Sequence, residues 1–192
     1  MKKIGITGGI CTGKTTLLNI LKNLGFKTFC CDEVVKELYK KSEIKEKLIE
    51  IFGKEILTST YEIDKKKILK KILMDQNLKS QLESLFHPIV KRELFKFFEE
   101  NKGEKIIFAE VPLLFELNWN SFFDEIWVIT CSEKVQKKRI LEKFKNFKDI
   151  EKLLSMQIPI FEKEKRAHRV FSSEKSIHEL EKEVKEILKG YL

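Results

Sequence analysis

Residues Gly8-Gly9-Ile10-Cys11-Thr12-Gly13-Lys14-Thr15 fit the pattern G-x-x-x-x-G-K-[ST], and nothing else in the chain restricts its fold as strongly. Such a loop needs an apolar strand in front to aim it. It needs a helix behind, whose first N–H groups and dipole complete a nest for anions. Both flanks are present. Lys3 to Thr7 reads as a short buried strand, and Leu17, Ile20, Leu21 and Leu24 recur at helical spacing before the stop signal Gly25. The cradle expected from this pattern runs from Gly8 through Gly9, Ile10, Cys11, Thr12, Gly13, Lys14 and Thr15 to Thr16. Its glycines let the backbone approach phosphate oxygens. Lys14 is expected to bridge the β- and γ-phosphates of ATP, and the Thr15 hydroxyl to ligate Mg²⁺.

The order of elements extends this start. Phe26 to Cys31 reads as a second strand, and Asp32 opens another helix. Strand, loop, helix, strand and helix in succession begin a parallel α/β sheet. Ser42 to Asn101 then carries helical patterning and little strand signal. Leu48, Ile49, Ile51 and Phe52 form one apolar group ended by Gly53; Asp64 caps a run with Ile68, Leu69, Ile72 and Leu73; Leu78, Leu82 and Leu85 mark a third. Pro88 is expected at the first position of a further helix with Ile89, Leu94, Phe95 and Phe98. The sheet resumes at Ile106–Ala109 and Ile126–Ile129, continuous apolar runs suited to strands buried on both faces. A helix is expected from about Glu133 to Phe144, a last short strand at Val170-Phe171, and an amphipathic helix over Ile177–Leu188. Lys145 to Arg166 is charged, mixed and weakly patterned.

Bulk properties narrow the class. A length of 192 residues with 42% hydrophobic residues suits one globular chain with a sizeable core. No run of 18 apolar residues exists, and Met1 to Gly5 leads into the glycine-rich turn without the apolar stretch and cleavage site of a secretory signal. The expected setting is cytoplasmic, without membrane association. Cys11, Cys30, Cys31 and Cys131 lack metal-binding spacing and read as reduced thiols. The net charge of +8 comes from lysines scattered over many helical faces beside abundant glutamate. That distribution speaks against a nucleic-acid partner and for a general attraction of small polyanions such as nucleotides.

Asp32 directly follows the second strand, and ligands of parallel sheets gather at the carboxyl ends of strands. It is a candidate catalytic carboxylate and equally a candidate helix cap. At this point the chain resembles the dephospho-CoA kinases, which catalyse the last step of coenzyme A biosynthesis. Thr7 through Thr16 is similar to that family's loop. Phe52-Gly53-Lys54-Glu55-Ile56-Leu57 followed by Ile63-Asp64-Lys65 resembles its FG segment and D-R pair. Leu85-Phe86-His87-Pro88-Ile89-Val90 resembles its HPxV motif, Glu110-Val111-Pro112-Leu113-Leu114-Phe115-Glu116 its D-x-PLLFE motif, and Gln136-Lys137-Lys138-Arg139 its QxxR helix, with Gln157 matching a lone lid glutamine.

The resemblance implies an α/β fold: a P-loop nucleoside-triphosphate hydrolase/kinase core with a five-stranded parallel sheet, a helical insertion and a small lid. In this chain the core is expected over 1–41, 103–140 and 166–192, the helical CoA-substrate domain over 42–102, and the lid over 141–165. It implies transfer of the γ-phosphate of ATP to the ribose 3′-hydroxyl of dephospho-CoA, with Mg²⁺ accompanying ATP. Asp32 would serve as base and acceptor contact, Lys14 and Arg139 as charge-neutralising catalytic residues, and Thr15 with Glu110, the latter through water, would hold Mg²⁺. His87, Pro112, Leu113, Leu114, Phe115 and Glu116 would line the acceptor site. Each has a plainer alternative. His87 could pack or cap near a helix start, Leu113-Leu114-Phe115 could be a buried turn, Glu110 a surface carboxylate and Arg139 a solvated helix residue.

The chain departs from the family pattern at Cys30 (usually Asp), Cys11 (Gly), Glu110 (Asp), Lys143 (Arg), His168 (Asp) and Ser173 (Asn). The rival readings are another small-metabolite or nucleoside kinase and a nucleotide-dependent switch. Asn101-Lys102-Gly103-Glu104 fails the guanine motif N-K-x-D at its last position, and the oligomeric state stays open.

Overall fold

A computed structural model describes residues 1–144 and 149–191 of the chain. It divides into two compact units, Met1–Cys30 with Phe98–Leu192, and Cys31–Phe97.

The first unit is built on a five-stranded, wholly parallel sheet of order β2-β3-β1-β4-β5, made of β1 (Lys2–Gly8), β2 (Lys27–Cys30), β3 (Ile106–Glu110), β4 (Glu125–Thr130) and β5 (Arg169–Ser172). The glycine-loop strand sits at the centre. β1 pairs with β3 in the register Ile6↔Glu110 and with β4 in the register Gly8↔Ile129. All five residues of β3 are buried, which is why that segment reads as an unbroken apolar run before its terminal glutamate. Helices α1 (Lys14–Asn23) and α9 (Ile177–Leu188) share a core with the sheet, in which Leu17 and Leu21 of α1 and Leu180 and Val184 of α9 meet Ile4, Ile6, Phe108, Trp127 and Phe171. Phe108, Trp127 and Phe171 lie in a row with their rings tilted against one another, centroids 5.3 and 5.1 Å apart. α9 begins with a capping box, in which the Ser176 side chain accepts from the Glu179 backbone N–H and Glu179 reaches back to the Ser176 N–H. Beyond β4 come α6 (Glu133–Lys143), α7 (Ile150–Ser155) and α8 (Ile160–Lys165).

The second unit is helical, with α2 (Cys31–Leu38), α3 (Ser42–Phe52), α4 (Lys65–Met74) and most of α5 (Gln76–Glu100). Asp64 caps α4 as expected, accepting from the backbone N–H groups of Lys66 at 2.9 Å and Lys67 at 3.4 Å. Two expectations are corrected here. Pro88 does not start a helix; it lies inside the continuous 25-residue α5. Phe86, Val90 and Leu94 are all buried, and this stripe at four-residue spacing carries the helix past the proline. Each buried side chain contributes about 1.5–3 kcal/mol, against roughly 3 kcal/mol lost at an interior proline. Second, the strand predicted to reach Cys31 ends at Cys30. The weakly patterned stretch after Lys145, to which the sequence assigns no element, holds α7 and α8, each six residues long and too short to show a helical period. The four residues 145–148 of the expected lid lie outside the described residues.

Among the described residues no helix is long and apolar enough to cross a membrane.

Candidate active site

The loop from Gly8 to Lys14 leaves the end of β1 in a conformation only particular residues tolerate. Gly8 lies so close to the neighbouring strand that a Cβ there would sit 2.3 Å from the Ile129 carbonyl oxygen. Gly13 has φ +103° and Cys11 has φ +58°, both left-handed. The second explains the usual glycine at that place, since an L-residue with this backbone costs roughly 1–2 kcal/mol. The loop holds itself together. The buried Thr12 hydroxyl donates to the Gly9 carbonyl at 2.9 Å, and the Lys14 ammonium donates to the same carbonyl at 2.7 Å. Thr15 is exposed at the start of α1.

Helix α6 braces the loop from outside. Gln136 donates through Nε2 to the Ile10 carbonyl at 2.8 Å. One turn on, Arg139 reaches the Cys11 carbonyl at 3.4 Å and forks onto Ser173, donating to its Oγ at 2.7 Å and its carbonyl at 2.9 Å. Arg139 is therefore no solvated helix residue; its guanidinium ties the loop to the end of β5. Burial pushes the nearby Cys131 thiol above its ordinary value, partly opposed by Arg139. A cavity of about 410 Å³ lies beside Gly9 and Gln136, walled by Leu154 of α7 and by Gln157, Pro159 and Phe161. Its volume falls in the range of small-molecule sites.

Glu110, read alternatively as a surface carboxylate, is 1% exposed at the end of β3, where Cys30 donates its thiol to Oε2 at 3.2 Å. The turn after it also has defined partners. The Pro112 carbonyl accepts from the Thr7 hydroxyl at 3.2 Å and from the Lys163 ammonium at 3.1 Å. Glu116 pairs with Lys163 at 2.8 Å and accepts the Ile158 backbone N–H at 2.9 Å. Leu114 and Phe115 are buried, while Pro112 and Leu113 are half-buried. Lys163 escaped the sequence reading because it sits in a charged stretch, although Ile160, three positions before it, lies on the same face of α8.

In the second unit, Asp32 is an exposed residue in the first turn of α2, its second position rather than its cap. His87 lies in the middle of α5, not near a helix start. Burial pushes its imidazole below the ordinary value, partly offset by Glu83 one turn before.

The departures from the family pattern are accommodated locally. His168 accepts the Ile126 backbone N–H through Nδ1 at 3.0 Å, a bond an aspartate could also accept. Ser173 supplies two oxygens to Arg139. Lys143 stands over the Phe144 ring at 5.5 Å.

A glycine-lysine phosphate loop on the central strand of this five-stranded parallel sheet defines a P-loop nucleotide-binding protein. Comparison with known proteins narrows the class. A family model described as dephospho-CoA kinase matches residues 2–179. A dephospho-CoA kinase of Fusobacterium nucleatum is 34% identical over 182 residues, covering 94% of each chain. The structure is similar to a Thermus thermophilus protein at TM-score 0.79 and 26% identity, covering 100% and 98% of the two chains. It is also similar to a dephospho-CoA kinase from Campylobacter jejuni at TM-score 0.63 and 25% identity, covering 99% and 97%. The chain belongs to the dephospho-CoA kinase family.

Proposed function

We infer that the chain transfers the γ-phosphate of ATP to the ribose 3′-hydroxyl of dephospho-CoA, giving coenzyme A and ADP, and that the loop of β1 is where the phosphates sit. The observation carrying this reading is the left-handed backbone at Cys11 and Gly13 ahead of Lys14, within a chain the family model matches almost throughout. Phosphoryl transfer has a loose transition state, so positioning and charge neutralisation supply most of the catalysis. Backbone N–H groups of Gly9 to Thr16 cradle the phosphates, and the Lys14 ammonium meets the β- and γ-oxygens. Arg139, already donating to the loop carbonyl of Cys11, offsets charge on the transferring group.

Thr15, in the first turn of α1, and Glu110, at the end of β3, are hydroxyl and carboxylate donors, a hard oxygen set suited to Mg²⁺. Thr15 would ligate it directly and Glu110 through water. When bound, the ion neutralises charge between the β- and γ-phosphates. Asp32 orients the acceptor hydroxyl and takes its proton late, since a carboxylate is too weak a base to deprotonate an alcohol beforehand. His87 and the turn from Pro112 to Glu116 receive the acceptor. Residues 42–102 serve as the acceptor domain, and 141–165 as a lid that excludes water.

The test of this assignment is Asp32→Asn. The carboxamide keeps size and hydrogen bonding, loses the proton acceptor, and gives up only a first-turn charge of about 0.3–1 kcal/mol. ATP affinity should stay near normal while turnover on dephospho-CoA falls at least about 100-fold. A loss of less than about threefold would remove Asp32 from the chemistry and make Glu110 the next candidate.

A further inference from the structure

Lys163 is the feature the reading above leaves unused. Its side chain is completely buried, an expensive place for an ammonium unless its donors are satisfied. It reaches from α8 to the turn after β3, donating to the Pro112 carbonyl at 3.1 Å and pairing with Glu116 Oε1 at 2.8 Å. The same turn is fastened from the other side by Thr7, the residue ahead of the phosphate loop, whose hydroxyl meets the same Pro112 carbonyl. Glu116 Oε1 takes a second donor, the Ile158 N–H at 2.9 Å. One carboxylate oxygen is therefore saturated. The other, Oε2, is the one buried side-chain nitrogen or oxygen among the described residues that has no hydrogen-bond partner. Native proteins leave few such atoms, because a buried acceptor without a donor is costly. The Glu116 side chain as a whole is 16% exposed, so it stands at the margin of the interior.

Burial pushes the Lys163 ammonium below the ordinary lysine value, and Glu116 pushes it back up. An ion pair in such a place is a poor device for stability, because well-packed apolar side chains commonly do as well. It is a good device for direction. It fixes the carboxylate rotation through Oε1 and leaves Oε2 as an acceptor of defined position.

We propose that Lys163 is a positioning residue for the acceptor: it sets the Pro112–Glu116 turn and turns Glu116 so that Oε2 receives a hydrogen bond from a hydroxyl or N–H donor of the bound acceptor. The proposal rests on the kinase reading and deepens it, adding a residue that acts through Glu116 without touching the reacting atoms.

The test is steady-state kinetics of Lys163→Met and Glu116→Gln with ATP and dephospho-CoA varied separately, alongside thermal melting. Glu116→Gln keeps a carbonyl for Lys163 and Ile158, replaces the orphan oxygen by an amide donor and removes the charge that pairs Lys163, so melting is read beside KM for both variants. Both variants should raise the KM for dephospho-CoA about tenfold or more, the worth of one hydrogen bond to a charged acceptor, with the KM for ATP within about twofold of the parent. The double variant should be no worse than the weaker single one, because the two residues act as a unit. A folded Glu116→Gln whose KM for dephospho-CoA is unchanged overturns the proposal. So does a Lys163→Met that melts earlier with both KM values unmoved, the signature of a purely structural latch. A wild-type enzyme whose ATP consumption ignores dephospho-CoA would overturn the kinase reading and this inference with it.

Discussion

Gly8→Ala puts the account of the phosphate loop under direct strain. A methyl group there would stand 2.3 Å from the Ile129 carbonyl oxygen and 2.7 Å from the Thr12 hydroxyl, whereas real Cβ contacts do not fall below 3.0 Å. The 0.7 Å shortfall against Ile129 cannot be met by β4, which is hydrogen-bonded between β1 and β5 and buried along its middle. The Thr12 hydroxyl is no freer, being bonded to the Gly9 carbonyl within the loop. The loop itself must move. Overpacking of this kind costs about 1–3 kcal/mol. At about 2–4 °C per kcal/mol for a chain of this size, the melting temperature should fall by roughly 2–12 °C. The functional cost should be larger, because a displacement near 1 Å of a positioning element costs on the order of 100-fold in rate. Differential scanning calorimetry together with ATP titration and turnover measures both. An alanine variant that melts with the parent and keeps its turnover would refute the claim that the β1–β4 approach fixes the loop.

Two further outcomes follow from individual residues. Cys11→Gly relieves the left-handed strain at φ +58° but adds freedom to the unfolded chain, so the net gain should be about 0.5–1 kcal/mol with activity retained, read from chemical denaturation; a clear loss of stability would contradict it. His87 has a depressed imidazole pKa, so the unfolded chain takes up its proton first as pH falls. Melting temperature should therefore drop from pH 7 toward pH 5 more steeply in the parent than in His87→Gln, and parallel curves would show that burial of this side chain is not felt.

The phosphate loop, the core strands and the terminal helix were legible because each depends on local pattern. Lys3 to Thr7 lies within β1, and Ile177–Leu188 emerged with the boundaries read from its apolar spacing. Pro88 misled because its local preference yields to a buried stripe that continues on both sides of it. Lys163 was illegible for the opposite reason: a lysine in a charged segment signals solvent, and its burial is decided by the distant Glu116 and Pro112. The bracing of the loop by Gln136 and Arg139 likewise joins residues more than a hundred positions apart. His168 and Ser173, departures at the level of motif, are quiet in three dimensions because each supplies a hydrogen-bond acceptor where one is needed.

Phosphate held in this loop passes to one particular alcohol. The most direct measurement is ADP release by the purified protein with ATP and Mg²⁺, with and without dephospho-CoA, and ³¹P NMR of the product. ADP formation should depend on dephospho-CoA, with a new phosphomonoester on its ribose 3′-oxygen in equal amount. ADP release at the same rate without the acceptor, or dephospho-CoA recovered unchanged, would contradict it.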